Sequence, residues 1–278
     1  MVFNGISTLA TMALMVTSLR LLPKRATKLI VVLICIVDIA WSTIFLAQSL
    51  YQIRFFTFLQ EKLARAEMFF NPLFKNSDIF YLGYTLHRFA IIMDESTIFT
   101  VFKESRGILL FVLAGTLIAY LMNSGEILDS FFVMENVQNR LRLWIGPLIV
   151  KSIVVLIASS LHLFAVKSMS HKLDETAVFV KSLPNFENCQ ARLISIARIK
   201  KFNMALLVIQ LLMPVLYVTR LIVTVNILAF CEQCDFFLMI QIEGIMESSF
   251  ACILKSICAI AFAAIHFLYV KNFGFCNN

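Results

Sequence analysis

Charged residues are scarce in this chain. Asp, Glu, Lys and Arg together make up 15% of its 278 residues, against about a quarter in an average soluble domain. Apolar residues make up 60%, and the mean hydropathy is +0.86. Hydrophobic blocks recur along nearly the whole chain, and several reach the roughly 20 residues that a helix needs to cross a bilayer core about 30 Å thick. The composition therefore predicts a membrane protein with several helical spans.

Histidine is also rare, with four residues that lie far apart in the sequence. Membrane enzymes of this size usually carry dense clusters of metal ligands. Two motifs of metal-dependent and nucleophilic catalysis, His-Glu-x-x-His and Gly-x-Ser-x-Gly, are both missing. We therefore expect no enzymatic activity, no cofactor and no metal site.

We expect no disulfide framework among the seven cysteines, because their number is odd and most of them fall inside hydrophobic blocks. The exception is Cys231-Glu232-Gln233-Cys234, which lies in an acidic connector. Cys231 and Cys234 are candidates for a small disulfide on an oxidising exterior, and equally for a pair of thiols. A zinc site would need two further ligands within reach, and the sequence shows no partner pair.

The net charge of +7 comes from basic residues in the connectors between hydrophobic blocks. In that position their expected role is to orient the spans in the bilayer. We therefore expect a lipid bilayer as the partner of these residues, and no nucleic acid.

We predict an all-α membrane protein, a seven-transmembrane helix bundle that occupies 1–278 as a single domain. The predicted spans lie at about 3–22, 28–50, 70–93, 107–124, 144–168, 203–226 and 248–270. The third is the least apolar of these, because residues 71–78 are polar for a helix that faces lipid. By hydropathy alone, that segment is either a span or a loop.

The charges of the connectors predict the orientation. Connector 20–28 carries four basic residues and no acid, and connector 167–201 carries seven basic residues against three acids. Both should face the cytoplasm, which requires an even number of crossings between them and therefore a span at 70–93. Connector 226–247 has four acids and no basic residue, as an external loop can have. The prediction is an external N-terminus and an internal C-terminus.

An alternative arrangement remains open at this stage, because the charge rule is a tendency with exceptions. Segment 70–93 would then lie in the membrane interface or re-enter it. Segment 228–247 would contribute an additional membrane segment through its apolar residues Phe236 to Ile240.

Ionisable residues inside spans are costly, so each is a functional hypothesis. Asp38 lies in the middle of the second span, and Arg88 lies near the end of the third. Pro214 falls inside the sixth span, where it removes a backbone hydrogen bond and predicts a bend.

This arrangement resembles the rhodopsin-class G-protein-coupled receptors. Asp38 resembles the acid of their second helix, and His87-Arg88-Phe89 resembles a variant of the Asp/Glu-Arg-Tyr triplet that ends their third. Lys200-Lys201 followed by Pro214 is similar to the basic start and the kink of their sixth helix. Tyr269 resembles the tyrosine of the Asn-Pro-x-x-Tyr motif in their seventh helix, and the asparagine and proline of that motif are missing here.

The departures from that pattern favour a divergent branch. The third span and the 125–143 loop lack the cysteines of the usual clamping disulfide, and the fourth span lacks its tryptophan. Such sequences are similar to the nematode serpentine chemoreceptors.

The resemblance implies a plasma-membrane receptor for an extracellular small molecule that activates a heterotrimeric G protein. Asp38, His87, Arg88, Phe89, Pro214 and Tyr269 would form its activation switch. Arg88 would hold the closed state by bonding to neighbouring helices, and Asp38 would bind a sodium ion or a water cluster. The alternative for Arg88 is that it extends to the headgroups and anchors the helix.

Three cations predicted in the outer half of the bundle are candidates for binding an acidic ligand: Lys151, Arg220 and Lys255. The alternative is that their side chains extend to the outer headgroups.

The basic and apolar residues alternate at 192–201, which predicts that the sixth helix continues beyond the membrane. Arg198, Lys200 and Lys201 would there contact a G protein or, equally, anionic lipid.

The functional alternative is a transporter or a ligand-gated channel of the gustatory-receptor type, which also has seven helices. Those proteins have a cytoplasmic N-terminus, which would place the basic connector 20–28 outside. Their last helix also carries a Thr-Tyr and Gln-Phe pattern that this sequence lacks.

Overall fold

The computed structural model describes residues 2–22, 25–52, 77–93, 98–124, 137–182, 186–230 and 252–273. In these ranges all regular structure is helical, which confirms the predicted all-α class. The α-helices are α1 (Val2–Leu21), α2 (Arg25–Gln52), α3 (Ser77–Met93), α4 (Ser105–Met122), α5 (Val137–Lys181), α6 (Phe186–Phe230) and α7 (Cys252–Phe273). A 3-10 helix, Ile98–Lys103, precedes α4.

Each predicted span overlaps one of these α-helices. Among the described residues, three helical segments are long and apolar enough to cross a membrane: Arg25–Ile44, Ser105–Met122 and Leu148–Lys181. Two shorter apolar segments are Ile79–Met93 and Ile253–Phe267. The polar start of the predicted third span, 70–76, lies outside the described residues, as does the connector with Cys231 and Cys234.

The side chains of α4 are compatible with a membrane environment. Its buried residues are Gly107, Ile108, Gly115, Ala119 and Met122, most of which are small. Its outer face carries leucines, of which Leu110 is 66% exposed and Leu121 is 64% exposed. Small residues between helices and large apolar residues outside are typical of packing in lipid. In water, this face would be an apolar patch that soluble monomers rarely expose.

Helix α3 lies inside a ring formed by the other six helices. Around the ring, α1 packs against α2, α2 against α4, α4 against α5, α5 against α6, α6 against α7, and α7 against α1. Helix α3 contacts α2, α4, α5 and α6. Every residue from Ile79 to Ala90 is buried, as expected for a helix with neighbours on all sides.

Two glycines allow α3 to approach its neighbours closely. A Cβ atom on Gly83 would lie 2.7 Å from Phe111 on α4 and 3.2 Å from Ile30 on α2. A Cβ atom on Gly115 would lie 2.7 Å from Cγ2 of Ile79 on α3. The α3–α4 contact therefore depends on a missing side chain on each helix.

Helices α5 and α6 are much longer than a bilayer is thick. Each has 45 residues, which corresponds to about 68 Å at 1.5 Å per residue, against about 30 Å for the hydrocarbon core. They pack side by side as a hairpin. Helix α6 includes the whole basic segment 192–201, which continues the helix as the sequence predicts, and Pro214 lies inside it.

Candidate functional site

The candidate site is built on one face of α3. Tyr81, Tyr84 and Arg88 are spaced three and four residues apart, so their side chains project from the same side of the helix. All three are buried. Tyr81 contacts α2 and α7, Tyr84 contacts α7, and Arg88 contacts α6.

Tyr81 binds the acid of α2. Its hydroxyl donates to Oδ2 of Asp38 over 2.8 Å, and Asp38 is only 9% exposed. Lys255 of α7 interacts electrostatically with the same carboxylate, and its Nζ lies 4.6 Å from the centre of the Trp41 ring. The buried acid therefore has a hydrogen-bond donor from α3 and a cation from α7, as a carboxylate inside a membrane requires.

Aromatic rings continue from Tyr81 along α3 towards Arg88. The Phe262 ring of α7 lies edge-on to Tyr81 at 5.0 Å and to Tyr84 at 5.7 Å between ring centres. Oη of Tyr84 lies 3.1 Å from Nε2 of His266, one turn further along α7. The His266 ring contacts Phe202 of α6 at 5.4 Å. These contacts join α3, α7 and α6 into one packed group.

Arg88 is held against α6. Its Nε donates to Oδ1 of Asn203 over 3.1 Å, and the guanidinium carbon lies 4.4 Å from the centre of the Phe202 ring. Asn203 in turn directs its amide nitrogen at Sδ of Met169 on α5, at 3.8 Å. Arg88 is only 8% exposed, and this hydrogen bond and the aromatic faces of Phe202 and Tyr84 contribute to stabilising its buried charge.

The two neighbours of Arg88 contact other elements. Nδ1 of His87 lies 2.6 Å from the carbonyl oxygen of Phe102, and Nε2 lies 2.8 Å from Oγ1 of Thr27. A carbonyl only accepts, so Nδ1 carries the proton, and in the neutral ring Nε2 accepts from the threonine. Phe89 packs against Phe164 of α5 at 6.3 Å between ring centres. The triplet thus contacts α2, the 3-10 helix, α6 and α5.

The candidate ligand-binding cations have different neighbours. Lys151 is 2% exposed and its Nζ donates to Oδ1 of Asn123, at the end of α4, over 3.4 Å. Lys255 lies over Trp41 of α2. Arg220 belongs to α6, and Tyr269 of the candidate switch belongs to α7; the structure describes the backbone at both positions.

The candidate G-protein contacts lie on the part of α6 that packs beside the end of α5. Arg198 and Lys201 are exposed. Lys200 donates to both carboxylate oxygens of Asp174 on α5, at 2.7 and 2.8 Å. Because both side chains are partly exposed to solvent, this ion pair contributes at most about 1 kcal/mol. It joins α5 and α6 one turn along α6 from Asn203.

Sequence reasoning missed seven residues of this group: Tyr81, Tyr84, Asn203, Phe202, Phe262, His266 and Thr27. A signal for two of them was present, since Tyr81 and Tyr84 share the helical face of Arg88. Asn203 and Thr27 gave no such signal, because their partners come from other helices. In the described part of the chain, no three His, Cys, Asp or Glu side chains lie close enough together to hold a metal ion.

The chain was compared with protein families, with curated proteins and with solved structures. No family model matches it, and neither a curated protein nor a solved structure matches it.

Proposed function

We propose that this protein is a seven-transmembrane chemosensory receptor of the plasma membrane. It binds a small molecule outside the cell and activates a heterotrimeric G protein inside. The observation that carries the proposal is the buried hydrogen bond from Arg88, on the central helix, to Asn203, on α6. A bond between these two helices is what a receptor that signals by moving α6 has to break.

The packed group between Asp38 and Arg88 supports a route from the ligand to that bond. Tyr81 and Arg88 are seven residues apart, which is about 10 Å along the helix. The side chains of Phe262, His266 and Phe202 fill the space between them. A ligand that favours a different packing of these rings also favours a different position of α6.

The distribution of cationic side chains supports a ligand site at one end of the bundle and a G-protein contact at the other. In the proposed orientation, Lys151 and Lys255 lie in the outer half, with Arg220 on α6, and would receive an acidic group of the ligand. Arg198, Lys200 and Lys201 lie on the cytoplasmic part of α6 and would contact the G protein. Opening would separate Lys200 from Asp174 and release Arg88 to pair elsewhere.

The test of the switch is Arg88→Ala. A ligand is first found by screening wild-type cells with a promiscuous G-protein readout. We expect Arg88→Ala to abolish the ligand-evoked signal while surface expression stays close to that of the wild type. The matched control is Arg20→Ala, which removes an exposed arginine at the end of α1 and should signal normally. Full signalling by Arg88→Ala would contradict the mechanism.

The test of the orientation is tag accessibility in intact cells. A tag at the N-terminus should be accessible from outside, and a tag inserted at 183–185, between α5 and α6, should become accessible only after permeabilisation. An internal N-terminal tag would contradict the receptor proposal and favour the channel of gustatory type.

A further inference from the structure

A cavity of about 460 Å³ lies beside the candidate switch, where α2 and α4 begin and α3 ends. Its polar lining comes from Arg25 of α2, His87 of α3, Lys103 and Glu104 before α4, and Ser105, the first residue of α4. The volume lies within the range of about 300–1,000 Å³ that small-molecule sites occupy. We call it the basic-end cavity.

The charges of the basic-end cavity favour an anion. Arg25 and Lys103 contribute two positive charges and Glu104 one negative charge. His87 makes hydrogen bonds with Thr27 and with the carbonyl of Phe102. Ser105 opens α4, so the positive end of that helix's dipole also points at the cavity. The cations come from two separate elements, α2 and the 3-10 helix, so an anion between them would join those elements.

The position of the cavity favours the headgroup of a lipid over a soluble anion. Helices α2 and α4 are two of the three long apolar helices, and both begin at its wall, at Arg25 and at Ser105. The cavity therefore lies where the apolar segments meet water, which is the depth of the phosphate groups of one leaflet. In the orientation proposed above, on which this step rests, this end faces the cytoplasmic leaflet, where anionic lipids are concentrated.

We propose that the basic-end cavity binds the phosphate-monoester headgroup of an anionic phospholipid of the phosphoinositide class. A phosphate monoester carries a charge of about −1.5 to −2 at neutral pH, so it gains more from Arg25 and Lys103 than the singly charged headgroup of phosphatidylserine does. A bound headgroup would fix the 3-10 helix against the end of α3, through the same segment that accepts the hydrogen bond of His87. The lipid would thereby hold the neighbour of Arg88 in place.

Binding is measured with the purified full-length protein in phosphatidylcholine nanodiscs, using a fluorescent short-chain phosphatidylinositol bisphosphate as the probe. Each cation near a charged headgroup contributes about a fivefold change in affinity, so Arg25→Gln with Lys103→Gln should raise the Kd about 25-fold. Glu104→Gln removes the opposing charge and should lower the Kd about fivefold. Arg106→Gln is the matched control, because Arg106 is exposed, adjacent to Ser105 and absent from the lining; its Kd should stay at the wild-type value.

Four results would overturn the proposal. The first is a double variant that binds like the wild type, and the second is an Arg106→Gln variant that loses as much affinity as the double variant. The third is a wild-type protein that binds phosphatidylserine as tightly as the probe. The fourth is displacement of the probe by inorganic phosphate or by the free headgroup at a concentration equal to that of the probe. The last would reassign the cavity to a soluble phosphate compound. If the double variant does not fold, Glu104→Gln decides, because unchanged or weaker binding by that variant also overturns the proposal. The assay contains no G protein, so its result is independent of the receptor proposal.

Discussion

Replacing Asn203 by Leu removes the oxygen that accepts the hydrogen bond of Arg88 while keeping a side chain of similar size. The guanidinium stays buried at 8% exposure and keeps its contact with Phe202, but it loses its bond to α6. The variant therefore weakens the closed arrangement without removing the arginine that the open arrangement needs. We expect Asn203→Leu to signal without ligand.

The size of the effect follows from the kind of bond that is lost. A hydrogen bond to a charged group contributes about 1.5–3 kcal/mol, and about 1.4 kcal/mol is a tenfold change in an equilibrium constant. The closed-to-open equilibrium should therefore shift about 10- to 100-fold. If about 1% of the wild-type molecules are open at rest, the lower limit raises that population to about 10%.

The assay is basal G-protein activation in cells, normalised to surface expression. Asn226→Leu is the matched control, because Asn226 is an exposed asparagine of the same helix whose amide bonds within its own helix, to the carbonyl of Ile222. Basal activity of Asn226→Leu should equal that of the wild type. If Asn203→Leu reaches the surface and its basal activity also equals the wild type, the Arg88–Asn203 bond does not hold the closed state and our reasoning is wrong.

The opposite change provides a second check. Asn203→Asp places a carboxylate beside the guanidinium, and charge-assisted bonds are roughly twice as strong as neutral ones. Basal activity should fall below that of the wild type, and a higher ligand concentration should be needed for half-maximal signalling. An increase in basal activity would contradict the sign of the argument.

Two further predictions concern stability. Tyr81→Phe removes the hydroxyl that donates a hydrogen bond to the buried Asp38 and should lower the free energy of unfolding by about 1–3 kcal/mol. The melting temperature is measured with a thiol-reactive dye that reports exposure of the buried cysteines. A melting temperature equal to that of the wild type would refute the prediction. Gly115→Leu forces a side chain against Ile79 and should lower surface expression, since overpacking costs about 1–3 kcal/mol. Gly146→Leu has open space around it and should express normally; equal expression of both variants would show that the α3–α4 contact tolerates a side chain.

The helices were predictable from the sequence because their signal is local. Each predicted span overlaps one α-helix, since a hydrophobic run of about 20 residues needs no partner to satisfy its backbone hydrogen bonds. The helices continue beyond the predicted spans, which end at 168 and begin at 203: α5 runs to Lys181 and α6 begins at Phe186. The alternating basic and apolar residues at 192–201 predicted part of this continuation of α6. Outside the bilayer a helix continues on its own pairing and packing, which hydropathy does not measure.

Part of the candidate site was predictable for a different reason. Asp38 and Arg88 were recognised because an ionisable side chain in an apolar segment is costly wherever it lies. Their partners were not recognisable in the same way. Asn203 and Phe202 are ordinary residues of an apolar helix until another helix brings Arg88 within bonding distance.

The sequence alone predicted the membrane environment of this protein, its helical class and the positions of its buried charges, because all three follow from the hydrophobicity of consecutive residues. Only the tertiary structure decided that α3 lies inside the ring of helices, that Arg88 bonds to α6 and that Arg25 and Lys103 line one cavity. These are contacts between residues far apart in the chain, and they depend on how the helices pack, which the hydrophobic pattern of each helix does not encode.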